Sequence, residues 1–489
     1  MTVFNGSNGL AIVLVILFLA AFSPVRAQWD DIVIDTITNT HIRKQTTLQS
    51  LDLDPYGFAH LVWRQAIDGG GNRIFYSTNS DLEYWQPPQE ITDSTRQSFS
   101  PALVYSASHR RPYVVLMQDS EIILAYEQEE IWHNEQITSN SQLDEFPTIA
   151  VDTSGNIHLA WITEDTTTNE YKIAYAIGSF GNWDIQILIY SDLGDYGTGA
   201  SPFIDVSNEG AAHITYRGGN YGNYHIHHAW NDSAGSINWQ YEIISSGNIN
   251  DFSSCVAVDD DGNTHAAFSG NDGWGFPSRT FYNYKPEGGY WLGPELVSLD
   301  YSAVRPSLYI DVYGTPHVIC MEVSGNIYTG DILYSYRDEN DCWNISELIG
   351  GDHFTPSFKI DQSGGGHIGY HTGGNSADYD IYYLTGDAAT SIDGTDSERN
   401  MARLYILSQN FPNPFNNQTA INYHIPQADF VTVEIYNVLG ERISVLVNEF
   451  KQAGNYQVQW NASDISTGIY FYKLNAGKYL LIRKCLLLK

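Results

Sequence analysis

The sequence predicts an all-β protein: a seven-bladed β-propeller closed by a strand from its own N-terminus, followed by a small antiparallel β-sandwich. Three observations predict it. A hairpin phrase recurs at a nearly fixed period, each period holds four strand-sized pieces, and helical periodicity is nearly absent. Repetition of four short strands at such a period is the signature of propeller blades.

The phrase is clearest in residues 146–161, FPTIAVDTSGNIHLAW. Apolar residues alternate on both sides of Thr153-Ser154-Gly155, the period-two pattern of half-buried strands. Asp152 can accept backbone N–H groups inside the turn, and Gly155 can take the positive φ that the reversal needs. Residues 50–63, 254–268, 306–320 and 356–370 repeat the phrase, with Asp54, Asp259, Asp311 and Asp361 at the turn. From Asp259 to Asp311 is 52 residues, and from Asp311 to Asp361 is 50. A weaker copy at 202–216 has Ser207 in place of the Asp, and a degenerate one at 101–115 keeps only the strand pattern.

Each copy continues into a third, Tyr-rich strand and then a Trp that opens a fourth, at Trp85, Trp132, Trp183, Trp239, Trp291 and Trp343. The last copy has no Trp strand after residues 381–384, whereas Trp29-Asp30-Asp31-Ile32-Val33-Ile34 has the form of one. The expectation is that this N-terminal strand completes the last blade, so that no sheet edge is left open.

Ahead of that strand, residues 1–27 read as a secretory signal. An apolar run at 11–22 is followed by Ser23-Pro24 and a small-residue cleavage site ending at Ala27, which makes Gln28 the first mature residue. No Lys or Arg precedes the run. No later stretch is apolar enough to cross a bilayer, so no transmembrane segment is expected in the mature chain. Four cysteines, Cys255, Cys320, Cys342 and Cys485, show no zinc-site spacing. Export permits a disulfide among the first three, and packing as small apolar side chains is the simpler expectation.

The chain carries 24 Lys and Arg against 57 Asp and Glu. Residues 404–489 hold seven basic and five acidic side chains, so the acidic excess lies before them. So acidic a body repels nucleic acid and anionic lipid, which argues against both as partners. Asp259-Asp260-Asp261-Gly262-Asn263 has a calcium-like look but lacks the twelve-residue loop and terminal Glu of an EF-hand. The acidity therefore reads as solubility; no cofactor is expected, and Ca2+ is the one candidate ion. A monomer is expected.

His60, His158, His213, His265, His317 and His367 all stand three residues after the turn Gly. Radially arranged blades spread such positions over a wide ring, so the six His are expected to fix the hairpins through hydrogen bonds to backbone or to the turn Asp. Function should then sit where the repeat breaks its own rule. Four residues after the His stand Arg64, Ile162, Arg217, Ser269, Met321 and His371, with Leu116 in the degenerate copy. Arg64, Arg217 and His371, together with Arg305 just before an innermost strand, are the candidate ligand-binding residues. Guanidinium groups converging near an axis suit a carboxylate or sulfate, and the Gly- and aromatic-rich loops at 218–228 and 270–279 suit sugar faces.

Residues 29–386 resemble the sialidase-like and BNR-type propellers of secreted bacterial proteins. The family's Asp-box, Ser-x-Asp-x-Gly-x-Thr-Trp, is here Asp-x-x-Gly-x-x-His, and sialidases have six blades. Their Arg-Ile-Pro motif is missing, and their Tyr/Glu nucleophile pair and Asp acid map to no positions in this chain. The resemblance implies a propeller and does not extend to sialidase activity.

Residues 387–403 are small, polar and charged, and read as a linker. From 404 to 489 alternation resumes at 419–424, 430–437, 454–460, 468–474 and 479–489. Residues Gln409-Asn410-Phe411-Pro412-Asn413-Pro414-Phe415, the Ile-Tyr-Asn-Val-Leu-Gly run at 435–440, Ser466-Thr467-Gly468-Ile469-Tyr470-Phe471-Tyr472 and the basic-apolar terminus resemble the C-terminal sorting domain of type IX secretion substrates. That resemblance implies an Ig-like sandwich, Sec export, engagement of the type IX machinery, and release or tethering outside the outer membrane. For the propeller the reading is a module that binds an extracellular glycan or other polymer. The alternative is a polysaccharide-active hydrolase or lyase. A hydrolase needs paired carboxylates, and Glu164, Asp165, Asp272, Glu322, Asp378 and Asp380 supply candidates without a pairing.

Overall fold

The structure, a computed structural model, describes residues 33–37, 44–67, 70–79, 85–92, 95–165, 170–188, 201–220, 223–245, 250–271, 278–298, 302–323, 330–338, 342–362, 364–372, 380–387, 406–407, 410, 415–425, 428–438, 440–452, 454–477 and 479–489. The expected signal, its Ala27–Gln28 cleavage site, Trp29 and nearly all of the linker lie outside these residues. Among the described residues every regular element is a strand.

The third repeat sets the pattern. Leu143–Val151, Ile157–Asp165, Glu170–Ser179 and Asn182–Ile187 pair antiparallel in that order as one four-stranded sheet. The second, fourth and fifth repeats form sheets of the same order. In the first repeat, Lys44–Gln45 and Leu51–Leu53 both pair with Ala59–Ala66. The sixth and seventh repeats share a seven-stranded sheet, because Trp343–Ile360 serves as the outer strand of one and the inner strand of the next. Val33–Thr36 lies at the far edge of that sheet, antiparallel to Ile381–Asp387, with Val33 opposite Thr385.

The turns are built as their sequence requires. Asp152 Oδ1 accepts the Asn156 N–H at 2.8 Å while Gly155, at φ 90°, donates to the Asp152 carbonyl at 3.0 Å. Asp54, Asp259, Asp311 and Asp361 repeat the side-chain bond to the residue four ahead. Innermost strands share a second device, a β-bulge at which one residue is left-handed: Ser100, Phe146, Ser253, Arg305 and Thr355, with φ between 41° and 57°. Pro101, Pro147, Pro306 and Pro356 follow four of these residues, where the interrupted ladder has no use for an N–H.

Apolar side chains fill the seams between successive repeats. Ala150, Ile162 and Tyr175 meet Ile204, Ile214 and Tyr216 between the third and fourth. Leu51, Leu61 and Trp63 meet Ile381 and Tyr383 between the first and seventh. At the rim, the Trp of one repeat packs edge-on against a third-strand Tyr of the repeat before: Trp132 on Tyr76, Trp239 on Tyr175, Trp343 on Tyr282 and Trp85 on Tyr383, at 4.9–5.0 Å between centroids. Lys359 in the seventh repeat reaches Asp52 in the first at 3.1 Å. Cys255, Cys320 and Cys485 are buried free thiols, whereas Cys342 is exposed.

The C-terminal part is a sandwich of two antiparallel sheets around Leu407, Phe415, Ile421, Tyr423, Val433, Trp460, Tyr472 and Leu474. Its sequence-predicted strands are all present in part or whole, and Arg442–Lys451 adds an edge strand that the alternation did not reveal. Asn410 is buried and donates its backbone N–H to the Tyr472 hydroxyl at 2.8 Å.

Candidate functional site

The repeated His are held as internal struts. In the third, fifth, sixth and seventh repeats the imidazole sits between the turn Asp and a third-strand Tyr. His158 Nε2 lies 3.3 Å from Asp152 and Nδ1 lies 2.8 Å from the Tyr175 hydroxyl. His265 joins Asp259 at 3.1 Å and Tyr282 at 2.7 Å; His317 joins Asp311 at 3.3 Å and Tyr334 at 2.7 Å. His367 bonds Asp361 at 2.9 Å and the Tyr383 hydroxyl. Burial opposes ionisation of Asp152, but hydrogen bonds from His158 and Asn156 outweigh it and hold the carboxyl at about 2.

Two repeats depart from the expected Asp contact. His60 bonds Tyr76 at 2.5 Å while Asp54 spends itself on the turn backbone, and burial pushes His60 down to about 4. In the fourth repeat Ser207 replaces the Asp and His228 replaces the Tyr, so His213 Nδ1 meets His228 Nε2 at 3.2 Å. The degenerate second repeat puts Tyr113 in the His position, so that Met117 and not the expected Leu116 stands four residues on; Tyr113 is fully buried, with no partner for its hydroxyl among the described residues.

Three of the candidate ligand residues are brought into one chain of contacts. Arg305 Nη1 donates to Thr355 Oγ1 at 2.6 Å. Thr46 Oγ1 donates to the Thr355 carbonyl at 3.0 Å and lies 2.8 Å from His371 Nδ1, which also accepts the Thr46 N–H at 3.1 Å. His371 is buried and stacks on Phe354 with centroids 4.9 Å apart. Next to Thr46, Gln45 accepts from Arg64 Nη2, and the Arg64 guanidinium lies over Phe99 at 5.4 Å. The Arg305 backbone N–H reaches Ser269 Oγ at 3.1 Å. The chain of contacts thus runs from the fifth repeat through the sixth and seventh into the first. Arg217 stands apart from it in the fourth repeat, buried, with its guanidinium over the Tyr224 ring at 4.3 Å.

Sequence reasoning missed one buried carboxyl at the same strand ends. Asp251 opposes Gly270, next to Ser269, and burial pushes it up to about 7 against a smaller downward pull from Ser245. His225 Nδ1 lies 3.9 Å from its Oδ2. Among the acids considered from sequence, burial and then Asp331 and Glu347 raise Glu322. Asp272 and Asp378 lie outside the described residues. Asp259, at the calcium-like turn, has both oxygens engaged by Asp261, Asn263 and His265.

Among solved structures, a copper-bound fungal alcohol oxidase of the AA5 family is similar at 10% identity and a TM-score of 0.50, over 91% of this chain and 98% of that one. A Penicillium chrysogenum α-L-arabinanase complexed with arabinobiose matches at 11% identity and TM-score 0.43, over 60% of this chain and 94% of that one. The Hadza microbial sialidase Hz136 matches at 11% and 0.39, over 70% and 65%. Likeness at such identity concerns the fold alone. Comparison with curated proteins found no match. Residues 409–488 match the secretion system C-terminal sorting domain family, and this part of the chain belongs to it.

Proposed function

We propose that the seven repeats form one closed propeller, exported by way of the signal at 1–27 and the sorting tail, which binds an anionic extracellular polymer such as a carboxylated or sulfated glycan. The observation that carries the reading is the linkage of Arg64, Arg305 and His371 through Gln45, Thr46 and Thr355, across three repeats. Side chains recruited from separate blades to one end of the inner strands make a preorganised polar surface, and guanidinium groups there can grip carboxylate or sulfate in bidentate fashion. The matched tail supports action outside the cell or on its surface. A polysaccharide-active enzyme is the second reading, favoured by Asp251, whose raised carboxyl could hold a proton near neutrality.

A glycan array probed with the secreted protein tests the first reading. Binding should favour sulfated and uronate-containing glycans over neutral ones, weaken with salt, and fall about tenfold or more in Arg64→Ala, as expected for loss of a charge-assisted contact. Equal binding to neutral and anionic arrays, or an Arg64→Ala protein that binds as well as its parent, would refute it. Release of reducing ends or unsaturated products from a bound glycan would move the assignment to the enzyme reading.

A further inference from the structure

One seam combines a small apolar cluster with several unpaired polar atoms. Between the fourth and fifth repeats the buried apolar cluster is small, Ile226, Ile244, Ala266 and Phe268, and its neighbourhood collects buried polar atoms without hydrogen-bond partners among the described residues. These include Thr215 Oγ1, Ser254 Oγ, the Trp291 indole nitrogen and both oxygens of Asp251. Buried polar groups are ordinarily paired, and a carboxylate is among the costliest to leave without a donor.

Comparison with the third repeat shows what Asp251 lacks. Asp144 stands eight residues before its turn Asp and opposite Thr163, as Asp251 stands eight before Asp259 and opposite Gly270. Asp144 is fully buried and doubly satisfied: the Trp161 indole N–H donates to Oδ1 at 3.0 Å and the Asn140 amide to Oδ2 at 3.0 Å. In the fifth repeat the corresponding positions are Phe268, which has no N–H to give, and Gly247, which has no side chain. The acceptor is retained and both of those donors are gone; Ser245 exerts only a smaller pull on the carboxyl, and neither oxygen has a partner at hydrogen-bond distance among the described residues. Asp251 is 1% exposed, and beside it His225 Nδ1, also without a hydrogen-bond partner, lies 3.9 Å away on a side chain that is 19% exposed. The pair therefore reaches from the buried seam to solvent at the same strand ends that carry Arg217 in the fourth repeat and Ser269 in the fifth.

We propose that Asp251 and His225 form a saccharide-hydroxyl subsite, in which one hydroxyl of a bound glycan donates to the Asp251 carboxyl group and a neighbouring hydroxyl contacts His225. A sugar ring offers adjacent hydroxyls, each donor and acceptor at once, which suits a two-oxygen acceptor beside an imidazole. The donors that the third repeat builds into its own chain are in the fifth supplied by the ligand. This deepens the polymer-binding reading, on which it rests for the face of the molecule, while using different residues and a neutral chemistry.

The test uses the full mature chain labelled with carbon-13 at the Asp carboxyl, with Asp251→Asn to assign the Asp251 resonance. Methyl β-galactoside, methyl α-mannoside and xylose are titrated separately. The Asp251 signal is expected to move with at least one of them. Phe268→Trp restores an indole donor, so it should raise the unfolding midpoint and abolish the response. Where that larger side chain prevents folding, His225→Gln replaces it and should weaken the responding sugar about tenfold at an unchanged midpoint. An Asp251 signal indifferent to all three sugars overturns the subsite, as does sugar affinity that survives a folded Phe268→Trp or His225→Gln protein. Polymer binding that depends on Arg64 while the Asp251 signal stays fixed would sink the subsite alone; a sugar response without polymer binding would sink the anion reading alone.

Discussion

Removing one strut should reveal how much each repeat depends on its Asp–His–Tyr connection. His265 is 2% exposed and links Tyr282 at 2.7 Å to Asp259 at 3.1 Å; Tyr282 is itself 1% exposed and supports Trp343 of the next repeat. His265→Ala leaves the Tyr282 hydroxyl without its imidazole partner, worth about 1–3 kcal/mol for a buried polar group. It also opens space in a packed interior, which adds to the loss, so about 3 kcal/mol in all is expected. Tyr282→Phe deletes only the hydroxyl and should cost about 1 kcal/mol. Because the two changes break the same bond, the double variant should fall short of the sum by about 1–2 kcal/mol. Urea unfolding followed by tryptophan fluorescence measures all four proteins. Strictly additive losses would refute the strut, and a well-folded His265→Ala protein that no longer binds ligand would turn the His into a functional residue.

Other expectations follow from the same contacts. Deleting residues 28–39 removes Val33–Thr36 from its pairing with Ile381–Asp387 and should lower the melting temperature of the whole propeller; an unchanged melt would mean that the strand closes nothing. Burial holds His60 and His213 down at about 4, so the folded state excludes their protonated forms. Their contribution is complete above the ordinary histidine pKa of about 6.5 and is lost progressively as pH falls from there through 4; stability rising over that window would contradict the assignment. Asp251 runs the other way. Its raised carboxyl penalises the folded state increasingly as pH climbs toward 7, and Asp251→Asn should flatten that decline. Removing residues 404–489 in a host with type IX secretion should leave the protein in the periplasm, and normal surface delivery would show the tail to be dispensable.

Much of this architecture was legible because repetition multiplies weak signals. One Asp-x-x-Gly-x-x-His hairpin is ordinary, whereas several at a common spacing define sheet order, strand polarity and the role of the turn. Outside the fourth repeat, the Tyr partner of each His was visible in the Tyr-rich third strands but unassignable, since it lies diagonally across the ladder and not opposite: His265 faces Tyr284 yet bonds Tyr282. Among the candidate ligand residues, Arg64, Arg305 and His371 do come together, but through Thr355 and through Gln45 and Thr46, at the end of a short strand upstream of the first copy. The left-handed bulge that places Arg305 and Thr355 is a matter of backbone conformation, which a residue name does not carry. Asp251 was within reach: setting Trp161 against Phe268 in aligned repeats exposes an acceptor that has lost its donor. Arg442–Lys451 escaped because polar residues interrupt its alternation on an exposed edge.

The pairing of Val33–Thr36 with Ile381–Asp387 sets a timetable for the molecule's birth. Of the described strands, the one that emerges first from the ribosome finds its partner only after every repeat has followed it. Until then the nascent chain keeps one sheet edge unfilled and one strand idle, the condition in which β-rich chains mispair with their neighbours. Contacts so distant along the chain also form slowly, since the loop they close spans the entire propeller. A β-rich chain whose first and last repeats must pair is exposed to mispairing for as long as its synthesis lasts.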